Sequence, residues 1–234
     1  MENQQTSTTD YSYRDDKNGM PTYHPFETDR LNSLYNFSIL DSLPEPEFDA
    51  VTELARSVFN VPICLVSLLD KERQWFKSHP GLNCSSTPRS LAFCNLTQRP
   101  ESEAVTVIDP FNDYRFKNNP LVTSSPHIRW YAGAPLIIDK EKKLSVGSFC
   151  LIDTKRRNDF SEADKAKLVQ FAEIVVRMMK ARTRYINVAN AHCRNLFSVI
   201  SHMLKNPMHI LLNAPELTNV TDLAQPSRDR DRDR

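Results

Sequence analysis

No proline interrupts the sequence between Phe160 and Pro207, and across that span apolar or small residues recur at alternating intervals of four and three. The series runs Leu168, Ala172, Val175, Met179, Arg182, Ile186, Ala189, Cys193, Leu196, Ile200 and Met203, and ten of its eleven members are apolar or small. An α-helix repeats every 3.6 residues. A seam held at 3.5 over five heptads therefore suits two helices wound round each other better than one helix lying on a globular core. Ser161 stands at the start as a cap, with Asp164 three residues on as a capping-box partner. The pattern predicts a long C-terminal helix that pairs with a second copy, with Arg182 as a register-setting member of the seam. Two shorter helices, each packed locally, are the alternative.

The material before this helix mixes elements. Glu27 to about Leu40 places Leu31, Leu34, Tyr35 and Ser38 on one helical face. A second helix begins near Pro46, with Phe48, Val51, Leu54, Ala55 and Val58 as its stripe. Ile63 to Leu69 is an apolar run of strand length, and a turn at Asp70 leads to a partner strand, Arg73 to Lys77. Val105 to Ile108 is short. Trp130 to Ile138 and Ser145 to Ile152 flank a charged hairpin, Asp139 to Lys143. Pro88 to Thr97 reads as a short helix, and Phe111 to Pro126 as a long loop with one helical turn. With no repeated βα unit, the expected class is α+β with an antiparallel sheet. Residues 1–26 and 214–234, the latter ending in alternating Arg and Asp, carry no buriable face and read as disordered arms.

Composition removes several functions. The chain has four glycines, where average usage of about 7% would give roughly sixteen, and no two lie within ten residues of each other. Phosphate-cradling loops need clustered glycines, so dinucleotide and Walker-type sites are excluded. A net charge of +1 argues against a nucleic-acid partner. The five cysteines have no metal-ligand spacing and read as reduced. Neither a targeting peptide nor an apolar run of about 18 residues is present, so the expectation is a cytoplasmic protein, or a nuclear one, with no membrane partner.

A set of ordered blocks resembles a GAF sensory domain of the kind found at the N-terminus of two-component histidine kinases. The blocks are Ile39–Ser42, Glu45–Asp49, Val66–Asp70, Arg73–Lys77, Phe93–Cys94, Asp113–Phe116, Asn119–Val122, Ile128–Leu136 and Val146–Asp153. The resemblance implies a GAF-like antiparallel sheet of five or six strands between helices, spanning 27–180. GAF domains bind small ligands or act as dimer scaffolds, and fold alone does not choose. The motif of the cyclic-nucleotide-binding relatives is missing, and Cys94 is a poor match to a bilin attachment site, so no cofactor is expected. A ligand pocket would draw on Arg89, Cys94, Asp113, Arg115, Arg129 and Trp130. The competing role of Asp113, Arg115 and Arg129 is to pin the long loop. Cys94 is alternatively a small buried residue facing the sheet.

Phe197 to Asn213, continued by Ala214–Leu217, resembles the phosphoacceptor H-box of histidine kinases, especially fungal hybrid kinases. His202 falls on the phosphorylated position, with Ser201 and Pro207 matching. The following acidic residue is replaced by Met203, which can neither orient the ring nor accept its proton, and the arginine by Lys205. The sequence contains no Asn box or glycine-rich ATP-binding boxes, so this chain is not expected to phosphorylate itself. The leading expectation is a non-catalytic GAF sensory and dimerisation module, with 181–213 as a signalling helix ending in a degenerate H-box. Phosphorylation of His202 in trans, with a histidine kinase or response regulator as partner, is the second reading. A thiol redox enzyme using Cys84 and Cys94 beside Arg89 is the third.

Overall fold

Period-two alternation decides which side of the sheet each strand residue faces, and β1 (Ile63–Leu69) shows it cleanly. Cys64, Val66 and Leu68 enter one apolar layer, whereas Ile63, Leu65 and Leu69 enter the other. The computed structural model of the protein describes residues 26–98 and 104–212, and their side chains except at 202 and from 204 onward. The two arms expected to be disordered, Phe26 apart, lie outside the described residues, as do the side chain of His202 and the Ala214–Leu217 block. The strands β2 (Arg73–Ser78), β3 (Ser86–Pro88), β4 (Thr106–Ile108), β5 (Trp130–Asp139) and β6 (Leu144–Asp153) complete a six-stranded antiparallel sheet in the order β3-β2-β1-β6-β5-β4. The central pair, β1 and β6, is buried at every residue because both of its faces are covered.

One face carries α1 (Glu27–Asn36), α2 (Pro46–Phe59) and the first part of α4 (Glu162–Leu212), around a core that includes Phe48, Phe59, Phe149, Leu168 and Val175. The other is capped by two 3-10 turns, Arg89–Leu91 and Phe93–Gln98, which stand where one short helix was expected. The one-turn helix α3 (Pro120–Thr123) within the long loop lies on this side too.

Three helices differ from expectation. Helix α1 stops at Asn36 because Ser38 takes a positive φ of 47°, and Tyr35, assigned to the inner face, lies half exposed with its hydroxyl on Asp70 Oδ1 at 2.9 Å. The inner position goes to Arg30, which is fully buried. In α2, Leu54 and Val58 face solvent, and Thr52 is inside, its hydroxyl bonded to the Phe48 carbonyl and to Ser78 Oγ at 2.7 Å. A polar residue that satisfies itself on the helix backbone rotated the true stripe away from the apolar one.

Helix α4 is continuous, and Ser161 and Asp164 form the capping box in both directions. Its seam residues differ in burial. Leu168, Ala172, Val175 and Met179 are buried in the sheet-covering core, joined by Val176, so the stripe there has the breadth of a helix on a globular core rather than of a coiled-coil seam. Arg182 is bound within its own domain. Its Nε donates to Glu45 Oε1 at 2.6 Å and its Nη1 to the carbonyls of Phe37 and Ser38, tying α4 to the α1–α2 connection. Among the described residues, those through Arg184 form one compact unit and those from Tyr185 a second. In the second, the seam residues Leu196, Ile200 and Met203 are 49–69% exposed.

Candidate functional site

The layer beneath the 3-10 turns is apolar at Leu65, Phe76, Phe93, Phe116 and Ile128, yet it holds a connected group of polar side chains. Alternation brings Ser67 of β1, Gln74 of β2, Tyr131 of β5, and Ser148 and Cys150 of β6 to this face, and register sets Ser67 opposite Ser148. The turn Phe93–Gln98 lowers Cys94 and Thr97 onto them. Cys94 Sγ stands 3.2 Å from Cys150 Sγ, 3.2 Å from Gln74 Nε2 and 3.3 Å from the Tyr131 hydroxyl. The same hydroxyl is 3.4 Å from Cys150 Sγ, and Gln74 Nε2 also donates to Ser67 Oγ at 2.6 Å. Thr97 and Ser148 share a short hydroxyl–hydroxyl bond, and Gln98 Nε2 donates to the Gly147 carbonyl at 3.0 Å.

Gly133 makes room for this arrangement, since a Cβ there would stand 2.2 Å from the Tyr131 hydroxyl oxygen. The two thiols are electrostatically unlike. Burial pushes the Cys94 thiol up, but hydrogen bonds from Cys150, Tyr131, Ser67 and Ser148 outweigh it and hold the thiol at about 7. Burial and the adjacent Cys94 push Cys150 well up, and burial does the same to the Tyr131 phenol. The two thiols titrate as a coupled pair, with the hydrogen bonds around Cys94 favouring ionisation there. Among the described residues no cluster of three or more His, Cys, Asp or Glu could hold a metal ion.

Of the six residues expected to line a pocket, only Cys94 belongs to this group. Arg89 is drawn instead into a buried ion cluster, with Nη1 2.5 Å from Glu27 Oε1 and 3.1 Å from the Asp70 carbonyl. Arg30 grips the same carboxylate through Nε and Nη2 at 2.8 and 2.7 Å, and its Nη1 donates to the Leu69 carbonyl. Burial raises the Glu27 carboxyl, but the two guanidiniums outweigh it and bring it down to about 2. Asp113 and Arg115 pair with each other at 2.6 Å within the loop. Arg129 donates to the carbonyls of Val122 and Ile128, with its guanidinium 4.9 Å from the Phe111 ring centre. Trp130 faces the opposite layer, where it meets Phe160 edge-on, because adjacent strand residues point to opposite sides. Of the two thiols in the redox reading, Cys94 meets Cys150, while Cys84 is half-buried with its pKa raised by burial. Sequence reasoning missed Ser67, Gln74, Tyr131, Ser148 and Cys150 as a group. Its one local signal was a serine at the inward phase of an otherwise apolar β1.

A separate cavity of about 550 Å³ opens between α4 and the β5–β6 hairpin, floored by Ile137, Val169 and Val176 and rimmed by Lys140, Arg177 and Lys180. Lys140 and Arg177 both approach Glu173, at 3.1 and 3.6 Å. Among the described residues no helix is long and apolar enough to cross a membrane.

The sequence profile of the GAF domain family matches residues 44–177. A cyclic di-GMP phosphodiesterase of Pseudomonas aeruginosa is 36% identical over 169 residues, which are 71% of this chain and 28% of that protein. The chain therefore spans under a third of that relative's length. Among solved structures, the GAF domain of an Acinetobacter phosphoenolpyruvate-protein phosphotransferase aligns with 68% of this chain and 96% of its own, at 18% identity and a TM-score of 0.47. A domain described as part of a two-component sensor histidine kinase of Sinorhizobium meliloti 1021 aligns with 61% of this chain and 96% of its own, at 14% identity and a TM-score of 0.46.

Proposed function

The chain belongs to the GAF domain family, and from that premise we propose that it is a non-catalytic sensory and dimerisation module of a histidine-kinase-like signalling protein. The observation that carries the reading is the division of labour along α4. A single helix first completes the domain core with Leu168, Ala172, Val175 and Met179, then presents Leu196, Ile200 and Met203 to solvent at the same spacing. Large apolar side chains at heptad positions on an exposed helix gain about 1.5–3 kcal/mol each on full burial, and a second copy buries them symmetrically. A change in the domain then reaches the paired helices through covalent continuity of α4. The similarity to the phosphodiesterase, confined to 28% of that protein, fits an input segment whose output lies elsewhere.

Cys193 lies on the proposed seam and is exposed, so it reports the pairing directly. Mild oxidation of the chain is expected to give a covalent dimer that disappears with Cys193→Ser and does not form with Leu196→Asp plus Ile200→Asp. A covalent dimer insensitive to the seam variants would overturn the seam assignment.

A second reading makes His202 a phosphoacceptor supplied in trans by a histidine kinase and emptied by a response regulator. Its support is the Ser201-His202 pair followed by Pro207, all within α4. Incubation with a full-length hybrid kinase and labelled ATP is expected to label the chain and to fail with His202→Ala; label that survives this substitution ends the idea.

A further inference from the structure

The geometry points to a modification site inside the domain: Cys94 and Cys150 close into a disulfide when the folded protein meets hydrogen peroxide. This goes beyond the sensory reading and stands without it. The two sulfurs belong to residues 56 apart in sequence and lie 3.2 Å from each other. A disulfide is about 2.05 Å long, so roughly 1 Å of approach separates the dithiol from the bond. Cys150 is fixed in β6 between two paired strands, whereas Cys94 rides on a 3-10 turn, whose hydrogen bonds have poorer geometry than a sheet ladder. The turn is the element that moves.

The environment also assigns the roles. Gln74 Nε2 and the Tyr131 hydroxyl donate to Cys94 Sγ at 3.2 and 3.3 Å, and the Cys94 thiol itself donates to Ser67 Oγ at 3.5 Å. Donors aimed at a sulfur favour its thiolate, and the thiolate is the form that attacks peroxide. Cys94 sulfur attacks one peroxide oxygen and the O–O bond breaks. Cys94 becomes a sulfenic acid, and the departing hydroxide takes up the proton that Cys94 released, forming water. Cys150 sulfur then attacks Cys94 sulfur, the S–O bond breaks, and the hydroxide leaves with the Cys150 proton as a second water. Two thiols lose two electrons and two protons, and one hydrogen peroxide becomes two waters.

Burial selects both the oxidant and the product. Cys94 is 1% exposed and Cys150 0%, so a bulky disulfide such as oxidised glutathione cannot bring its sulfur to either, while a molecule little larger than water can. Once a sulfenic acid forms there, Cys150 is the thiol in contact with it. Cys64, the other fully buried cysteine, faces the opposite layer of the sheet.

The test uses the full chain, reduced and freed of reductant, exposed to hydrogen peroxide and then unfolded in an alkylating agent for peptide mass spectrometry. The expected result is a Cys94–Cys150 cross-linked peptide, two thiols lost to alkylation from within the folded domain, and full recovery with dithiothreitol. Tyr131→Phe keeps the ring and removes the hydroxyl, and is expected to slow formation of the bond about fivefold, the loss of one modest hydrogen bond. Cys150→Ser is expected to leave Cys94 as a sulfenic acid, captured by dimedone present as the oxidised protein is unfolded. The proposal is overturned if Cys94 and Cys150 both remain alkylatable while exposed Cys193 is oxidised, or if Cys94 is found bridged to Cys84. The wild-type measurement decides the matter even where a variant fails to fold.

Discussion

Glu27 is a carboxylate with almost no exposed surface, held by two guanidiniums that are themselves buried. Removing charge from such a cluster leaves cations with no counter-ion in a poorly hydrated site, which costs far more than the pair gains over an apolar substitute. Its carboxyl is brought down to about 2 from an ordinary 4.5, so the sign of the pH dependence is fixed. The folded state binds the proton more weakly than the unfolded chain. The stability this carboxylate contributes is complete above about pH 4.5 and is lost as pH falls toward 2. Glu27→Gln is expected to lower unfolding stability by about 3 kcal/mol at neutral pH and to flatten that part of the acid limb, as measured by urea denaturation across pH. Arg89 stands in a sequence block between two cysteines and invites a catalytic or ligand-binding reading. Its partner lies 62 positions earlier, in a helix whose apolar pattern gives no hint of a buried ion pair.

At the scale of elements, legibility followed the physics of burial. β1 and β6 were visible as apolar runs because both of their faces are covered, and α4 because its capping box and proline-free heptads are local features. β3 was invisible: Ser86–Pro88 has no periodicity, and only its bonds to β2 make it a strand. The polar group under the 3-10 turns could not be read for a related reason. Ser67 and Ser148 meet through register, and Cys94 meets Cys150 through the descent of a turn onto the sheet, neither of which leaves a spacing in the sequence. The heptads single out Arg182, whose side chain bonds Glu45 of its own domain, a partner that no spacing announces. It belongs to a chain of charges in which Lys77 Nζ and Arg182 Nε both bond Glu45 Oε1 at 2.6 Å. Arg182→Leu separates the alternatives. A seam residue replaced by leucine would strengthen the dimer, whereas a clamp residue so replaced weakens the domain. The expected outcome is a loss of about 1–3 kcal/mol in domain stability by thermal or urea unfolding, with the monomer–dimer constant unchanged.

For the molecule as a whole, α+β architecture and the antiparallel sheet were already implied by ordered sequence blocks, and the family match over residues 44–177 agrees with them. What sequence alone did not separate was the buried and the exposed part of one apolar stripe. A 3.5-residue pattern cannot distinguish side chains that finish a domain core from side chains that await a second helix, because both demand an apolar face. Met179 is fully buried, whereas Leu196, Ile200 and Met203 are exposed. The central claim is that the second set pairs two copies of the chain. Sedimentation equilibrium of the full chain at micromolar concentration tests it most directly. The account predicts twice the 26.9 kDa chain mass, falling to a single chain with Leu196→Asp plus Ile200→Asp while the domain's unfolding temperature holds. A wild-type mass of one chain, or a dimer that persists in the seam variant, would contradict it.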